Sequence, residues 1–122
     1  MSKTSNFAWH DLTVEDAESV KDFYSEVLGL RSEAVDMGDY NDYNMINENN
    51  EVVAGICHKR GINSNIPSQW MNYITVTNIE DKLNKVEKLG GKIISPLKPE
   101  SEYKMAIIQD NAGAFIALFE PK

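Results

Sequence analysis

Residues 7–30 read FAWHDLTVEDAESVKDFYSEVLGL, and the punctuation of this stretch decides the fold. In Phe7–Val14, a predicted strand, Phe7, Trp9, Asp11 and Thr13 share one face while Ala8, His10, Leu12 and Val14 share the other. Asp16 is placed to cap a helix, because its short carboxylate can accept from the free N–H groups of a first turn. Ala17, Val20, Tyr24, Val27 and Leu28 follow at spacings of three and four, which predicts an inward-facing helical stripe. Gly29 then predicts a left-handed helix stop.

Working outward, the same grammar returns in Gln69–Lys92, QWMNYITVTNIEDKLNKVEKLGGK. An offset of 62 residues lays Leu12-Thr13-Val14 over Ile74-Thr75-Val76, Asp16 over Asn78 and Glu18 over Glu80. Asn78 is therefore the expected second N-cap, with Ile79, Leu83, Val86 and Leu89 inward and Gly90-Gly91 as the stop. Between the two helices the chain offers only strands. Gly38-Asp39 reads as one turn, and Asn49-Asn50 between Met45-Ile46 and Val52-Val53 as a hairpin turn, since Asn tolerates positive φ. The acidic, amide-rich run 36–50 lacks the glycine and distal glutamate of a calcium-binding loop and reads as a polar meander. Gly61–Ser68, without periodicity, reads as a linker. After the second helix, Lys92–Ser95 is a short expected strand stopped by Pro96 and Pro99. Tyr103–Gln109 and Ala114–Glu120 are strands joined by the turn Asp110–Gly113.

The element order is β-α-β-β-β, twice. It implies an α+β fold in a single domain, 1–122, built from module one at about 5–60, a linker at about 61–68 and module two at about 69–122. The two modules are expected to form a curved mixed sheet around a shared cleft, with the helices on the outside.

Composition narrows the partners. Nineteen acidic against twelve basic residues give a net charge of −7, which repels nucleic-acid phosphates and anionic membrane. The one cysteine, Cys57, has no internal disulfide partner, as suits a reducing compartment. MSKTSNFAWH lacks the apolar core of a signal peptide, and the longest apolar run, 112–119, is too short to cross a bilayer as a helix. A cytoplasmic protein is expected.

This order, with DLTVEDAESVKDFYSEVLGL and the closing DNAGAFIALFEP, resembles the vicinal oxygen chelate superfamily, which contains glyoxalase I, bleomycin-resistance proteins and extradiol dioxygenases. Asp16, Phe23-Tyr24, Leu28-Gly29, Gly90-Gly91 and Asp110 with Gly113 stand where its members usually carry them. WHDL, VVAG, Trp70 with Tyr73, and QDNAGAFIALFEP are similar to a glyoxalase-related subgroup. The resemblance implies one divalent metal held by His and Glu from four strands, open to chelation by adjacent substrate oxygens. Carried over by spacing from Phe23, Val76 and Asp110, three of those positions fall on Trp9, Met71 and Ala117. The fourth falls on Gly55 by the best available match. None is a strong ligand for a hard divalent ion. His10 is one residue past the first position and therefore on the opposite strand face, unless a β-bulge restores it. Glu120 is similarly off the expected glutamate position and reads as a surface carboxylate. No cofactor is expected; a divalent metal is the runner-up.

The face expected to line the cleft carries Trp9, Asp11, Thr13, Tyr43, Met71, Tyr73, Phe115 and Phe119, with Met45, Thr75 and Ala117 beside them. Such a wall suits a small molecule, with tryptophan and tyrosine offering faces to a planar or cationic group. Asp11 could anchor a cation, act as a general base, or pair with a lysine such as Lys104. Cys57 and His58 are adjacent on a strand, so their side chains diverge and make no nucleophile–base pair. Two readings follow. The first is a metal-free protein that binds an aromatic or cationic small molecule, like the bleomycin-resistance branch, whose clefts lie at homodimer interfaces. The second is an atypical lyase, isomerase or dioxygenase-like enzyme using a divalent metal at His10, or Asp11 as general base. The resemblance also implies a homodimer.

Overall fold

The computed structural model describes residues 6–61, 64–99 and 103–121; the expectations for residues 1–5 and for linker residues 62 and 63 lie outside that set. In chain order the elements are β1 (Phe7–Val14), α1 (Ala17–Leu28), β2 (Arg31–Asp36), β3 (Asn41–Ile46), β4 (Val52–His58), β5 (Trp70–Thr75), α2 (Ile79–Lys88), β6 (Lys92–Pro99), β7 (Tyr103–Gln109) and β8 (Phe115–Pro121). The expected α+β order, β-α-β-β-β twice, is the observed one. The chain divides into two compact units, one of His10–Trp70 and the other of the residues up to Trp9 with those from Met71 onward.

In the His10–Trp70 unit the strand order is β2-β3-β4-β1, with β1 parallel to β4 and the other pairs antiparallel. Asp16 caps α1 as expected, its Oδ1 accepting from Ser19 N at 3.1 Å. Gly29 ends the helix at φ +72°, a left-handed conformation that a residue with a Cβ adopts only at a cost. Leu12, Tyr43, Met45, Ala54 and Ile56 form the core beneath α1, with Val20 and Tyr24 packed on it. Register explains the set: Leu12 is the partner of Ile56 and Tyr43 is the partner of Ile56 across the next ladder, so all three side chains leave the sheet on one side. The hairpin at Asn49-Asn50 forms as expected. Asn50 sits at φ +63°, and the Asn47 side chain accepts from Asn49 N and Glu51 N. Val27 and Leu28, expected inward, lie exposed beside exposed Phe23, because the core stripe of α1 runs through Ala17, Val20 and Tyr24 only.

The second unit has the order β5-β8-β7-β6, with β5 parallel to β8. Ile79, Leu83, Ala106 and Leu118 are its buried core under α2, flanked by Ile74, Val76, Val86, Ile93, Ile108 and Ile116. Two expectations are corrected here. Asn78 does not cap α2 with its side chain; it takes a left-handed conformation, and the Glu120 carboxylate instead accepts from Asn78 N at 3.1 Å and Ile79 N at 3.0 Å. Glu120 is therefore a helix cap brought by β8, not an idle surface carboxylate. Nor do the prolines stop the strand after Ser95, since β6 runs through Pro96 to Pro99. The strand lies at the end of this unit's strand order, bonded to β7 alone with two register shifts, where a missing N–H leaves no ladder unpaired.

Candidate functional site

Each sheet has one face under its helix and one face away from it, and side-chain parity sorts the expected site residues between them. In the His10–Trp70 unit, Leu12 and Ile56 point under α1, so Asp11 and Thr13 on β1 and Cys57 on β4 point the other way. Asp42 on β3 alternates with core residue Tyr43 and joins them. Gly55, the partner of Asp11, brings no side chain to this face. Cys57 Sγ lies 3.9 Å from Asp11 Oδ1, in position to donate a weak hydrogen bond to it. Burial first, then the charges of Asp11 and Asp42, push the Cys57 thiol far above its ordinary range. It stays protonated and is a donor rather than a nucleophile. Asp42 also accepts from His58 N at 2.8 Å, which ties β3 to the end of β4.

The second unit places Met71, Tyr73 and Thr75 on the face of β5 away from α2, and Phe115, Ala117 and Phe119 on the same face of β8. The register pairs Tyr73 with Ala117 and Thr75 with Phe119. The set is not uniformly open. Met71 is 2% exposed and Ala117 fully buried, so these pack, and Thr75 Oγ1 is spent on the Asn6 backbone. Thr13 in the other unit is also buried. Trp9, Asp11, Tyr73, Phe115 and Phe119 are half-buried and keep part of their surface open.

Two expected wall residues move. Tyr43 and Met45 belong to the core under α1, because the register of β3 against β4 turns them to that side. The sequence had missed Asp42, whose alternation with Tyr43 was the signal that could have found it. Lys104, considered as a partner for Asp11, pairs with Glu80 at 2.8 Å instead. Cys57 and His58 diverge: the thiol reaches Asp11, while His58 Nδ1 lies 2.8 Å from Asn41 O and its ring packs edge-on against Tyr40.

The positions onto which spacing carries the superfamily's metal ligands hold side chains that do not fit such an ion. The β1–β4 ladder runs without a register shift from Asp11 to Val14, and simple strand alternation continued back from Leu12 gives His10 the same face as Leu12. Those positions, Trp9, Gly55, Met71 and Ala117, offer an indole, a hydrogen, a thioether and a methyl group, none of them a donor for a hard divalent ion. Among the described residues no group of three or more His, Cys, Asp or Glu side chains is arranged to hold a metal ion.

Comparison with known proteins agrees with the fold. Residues 6–118 match the family model of the Glyoxalase/Bleomycin resistance protein/Dioxygenase superfamily. The Mycobacterium tuberculosis protein named "Putative glyoxylase CFP32" is 29% identical over 115 residues, covering 92% of this chain but 44% of the relative. The chain thus spans less than half the length of that relative. A superfamily member from Vibrio splendidus 12B01 superposes with a TM-score of 0.60 at 15% identity, over 92% of this chain and 96% of that one. Streptomyces coelicolor methylmalonyl-CoA epimerase, solved in complex with 2-nitronate-propionyl-CoA, superposes with a TM-score of 0.55 at 7% identity, over 97% and 98% of the two chains. At such identities the two solved structures establish likeness of fold alone.

Proposed function

The chain belongs to the glyoxalase/bleomycin resistance protein/dioxygenase superfamily, and from that premise we propose that it is a metal-free binder of an aromatic or cationic small molecule. The observation that carries this reading is the setting of Asp11. It is a half-buried carboxylate on the strand face that also bears Trp9, and Asp42 lies on the far side of the same protonated thiol. Two carboxylates around one neutral donor favour a cation on that face, and the partly open indole two residues along β1 from Asp11 favours a planar one. Within the second unit, Tyr73, Phe115 and Phe119 are partly open aromatic side chains on the face of the sheet away from α2. The poor ligand set supports doing without a metal. Cytoplasmic placement rests on Cys57 being the one cysteine of the sequence, with no internal disulfide partner, and a homodimer on the uncovered apolar side chains Phe23, Val27 and Leu28 of α1.

The test uses a planar aromatic cation, proflavine, titrated into the full chain carrying Trp70→Phe, so that quenching reports Trp9. Saturable quenching, unchanged by a chelator, is expected. Asp11→Asn should weaken it about tenfold, the equivalent of about 1.4 kcal/mol. Equal affinity in Asp11→Asn overturns the role given to Asp11. Stoichiometric zinc, manganese or iron that a chelator removes, with loss of binding, hands the site to the metalloenzyme reading.

A further inference from the structure

Outside the faces discussed so far, the second unit carries a groove of about 500 Å³ between the C-terminal half of α2 and the end of β7. That volume lies in the range of small-ligand pockets, about 300–1,000 Å³. Its shape follows from Gly91, where a Cβ would stand 2.5 Å from Gln109 O. Only a glycine lets the helix end meet the strand at backbone distance. Beside this pinch, Val86 and Leu89 form one bank and Ile108 the floor. Leu89 was expected to turn inward, yet it is 73% exposed on this bank and buries little against its own unit.

The rim has a charge opposite to that of the chain. Lys82 and Lys85, one helical turn apart, both line the groove of a protein whose net charge is −7. Lys82 Nζ donates to Thr77 O at 2.8 Å, which uses one of its three donors. Lys85 has no ion-pair partner among the described residues. The one carboxylate of the rim, Asp110, is turned into its own tight turn, where Oδ1 accepts from Ala112 N at 2.8 Å and Ala114 N at 3.0 Å. A lysine in the last turn of a helix is ordinarily accounted for by the negative helix end. That account explains Lys85 but neither the open apolar bank nor the second lysine facing the same space.

We propose that this groove binds a small amphipathic anion, a carboxylate with an unbranched or aromatic apolar body. The head group sits at Lys82 and Lys85, and the tail covers Leu89, Val86 and Ile108. The site is on the α2 side of the sheet and stands independently of the binding face described above.

The experiment is a titration of the full, uniformly ¹⁵N-labelled chain with octanoate, followed by amide shifts, with acetate and octan-1-ol as separate arms. Octanoate should shift the amides of Val86–Gly91 and Ile108–Asn111 saturably. Acetate, which has no tail, and octan-1-ol, which has no charge, should each bind at least about tenfold more weakly. Lys82→Ala with Lys85→Ala should weaken octanoate about fivefold to tenfold, as the loss of two exposed charge pairs implies. Leu89→Ala should weaken it about fivefold. All three positions lie at the groove surface, and a dispersed amide spectrum certifies that each variant is folded. Asp11→Asn should leave octanoate binding unchanged, which separates this proposal from the previous one. Shifts that do not saturate, shifts centred elsewhere, equal binding of octanoate and octan-1-ol, or undiminished binding in the double lysine variant overturns it.

Discussion

Removing the carboxylate of Glu120 tests how the second unit holds its helix. Oε2 and Oε1 accept from the N–H groups of Asn78 and Ile79, two of the donors that the first turn of α2 cannot satisfy internally. Loss of a side-chain cap costs about 1 kcal/mol, and loss of a negative charge at a helix N-terminus about 0.3–1 kcal/mol more. Ile79 is fully buried, so its N–H cannot turn freely to water when the carboxylate is gone. Glu120→Ala is therefore expected to lower stability by about 2 kcal/mol, near the upper end of those sums because one bond is part-buried. For a chain of this size the fall in Tm should be about 8 °C. Glu120→Gln keeps the shape and one acceptor oxygen but not the charge, and should lose about half as much. Urea denaturation followed by far-ultraviolet circular dichroism measures both, with an unchanged slope showing that the denatured state is the same. If Glu120→Ala unfolds at the wild-type midpoint, the capping argument fails. If Glu120→Gln is as damaging as Glu120→Ala, the charge rather than the bonds carries the effect.

Gly91→Ala places a methyl carbon 2.5 Å from Gln109 O and should cost about 3 kcal/mol or prevent folding, read as the loss of a cooperative transition. Cys57 should resist a thiol reagent in the native state at pH 8 and react at once in denaturant. Because its folded pKa is raised by burial and by two carboxylates, the stability tied to its neutral form is present below the thiol's ordinary value of 9.0 and is lost as pH climbs above it. Cys57→Ala should accordingly flatten the alkaline limb of a stability–pH curve. Asp110 behaves oppositely. Backbone N–H groups of Ala114 and Ala112 hold its pKa below the usual carboxylate value. Its contribution is therefore present at neutral pH and lost on acidification, and Asp110→Asn should reduce the acid-limb slope.

Much of the fold was legible because its signals are local. Asp16, Gly29 and the pair Asn49-Asn50 act within a few residues of themselves, and each does what its chemistry predicts. Strand parity likewise separated Asp11 from Leu12 without any knowledge of neighbours. The failures have a common physical cause. Asn78 lost its capping role to a carboxylate 42 residues away, and no local pattern announces that exchange. Pro96 stops a strand only if both of its edges must be bonded, which depends on the position of β6 in its sheet. Val27, Leu28 and Leu89 have helical spacing but lie past the reach of the strands beneath their helices, so periodicity promised burial that packing does not deliver. Tyr43 was misplaced because the parity of a meander strand cannot be set until its register with β4 is known. The alternation of Asp42 with Tyr43 was available but had no anchor.

The capping of α2 from β8 bears on the order in which the unit assembles. The first turn of α2 and the carboxylate that completes it are separated by 41 residues, and β5 likewise waits for β8 as its parallel neighbour. Both closures must pay the entropy of a long loop before either is rewarded. Helix α1, capped three residues away by Asp16, carries no such delay. The start of α2 should therefore consolidate after the folding transition state, with low φ-values at Ile79 and Glu120, and α1 should form early. Two helices alike in sequence grammar are thus expected to stand at opposite ends of the folding reaction.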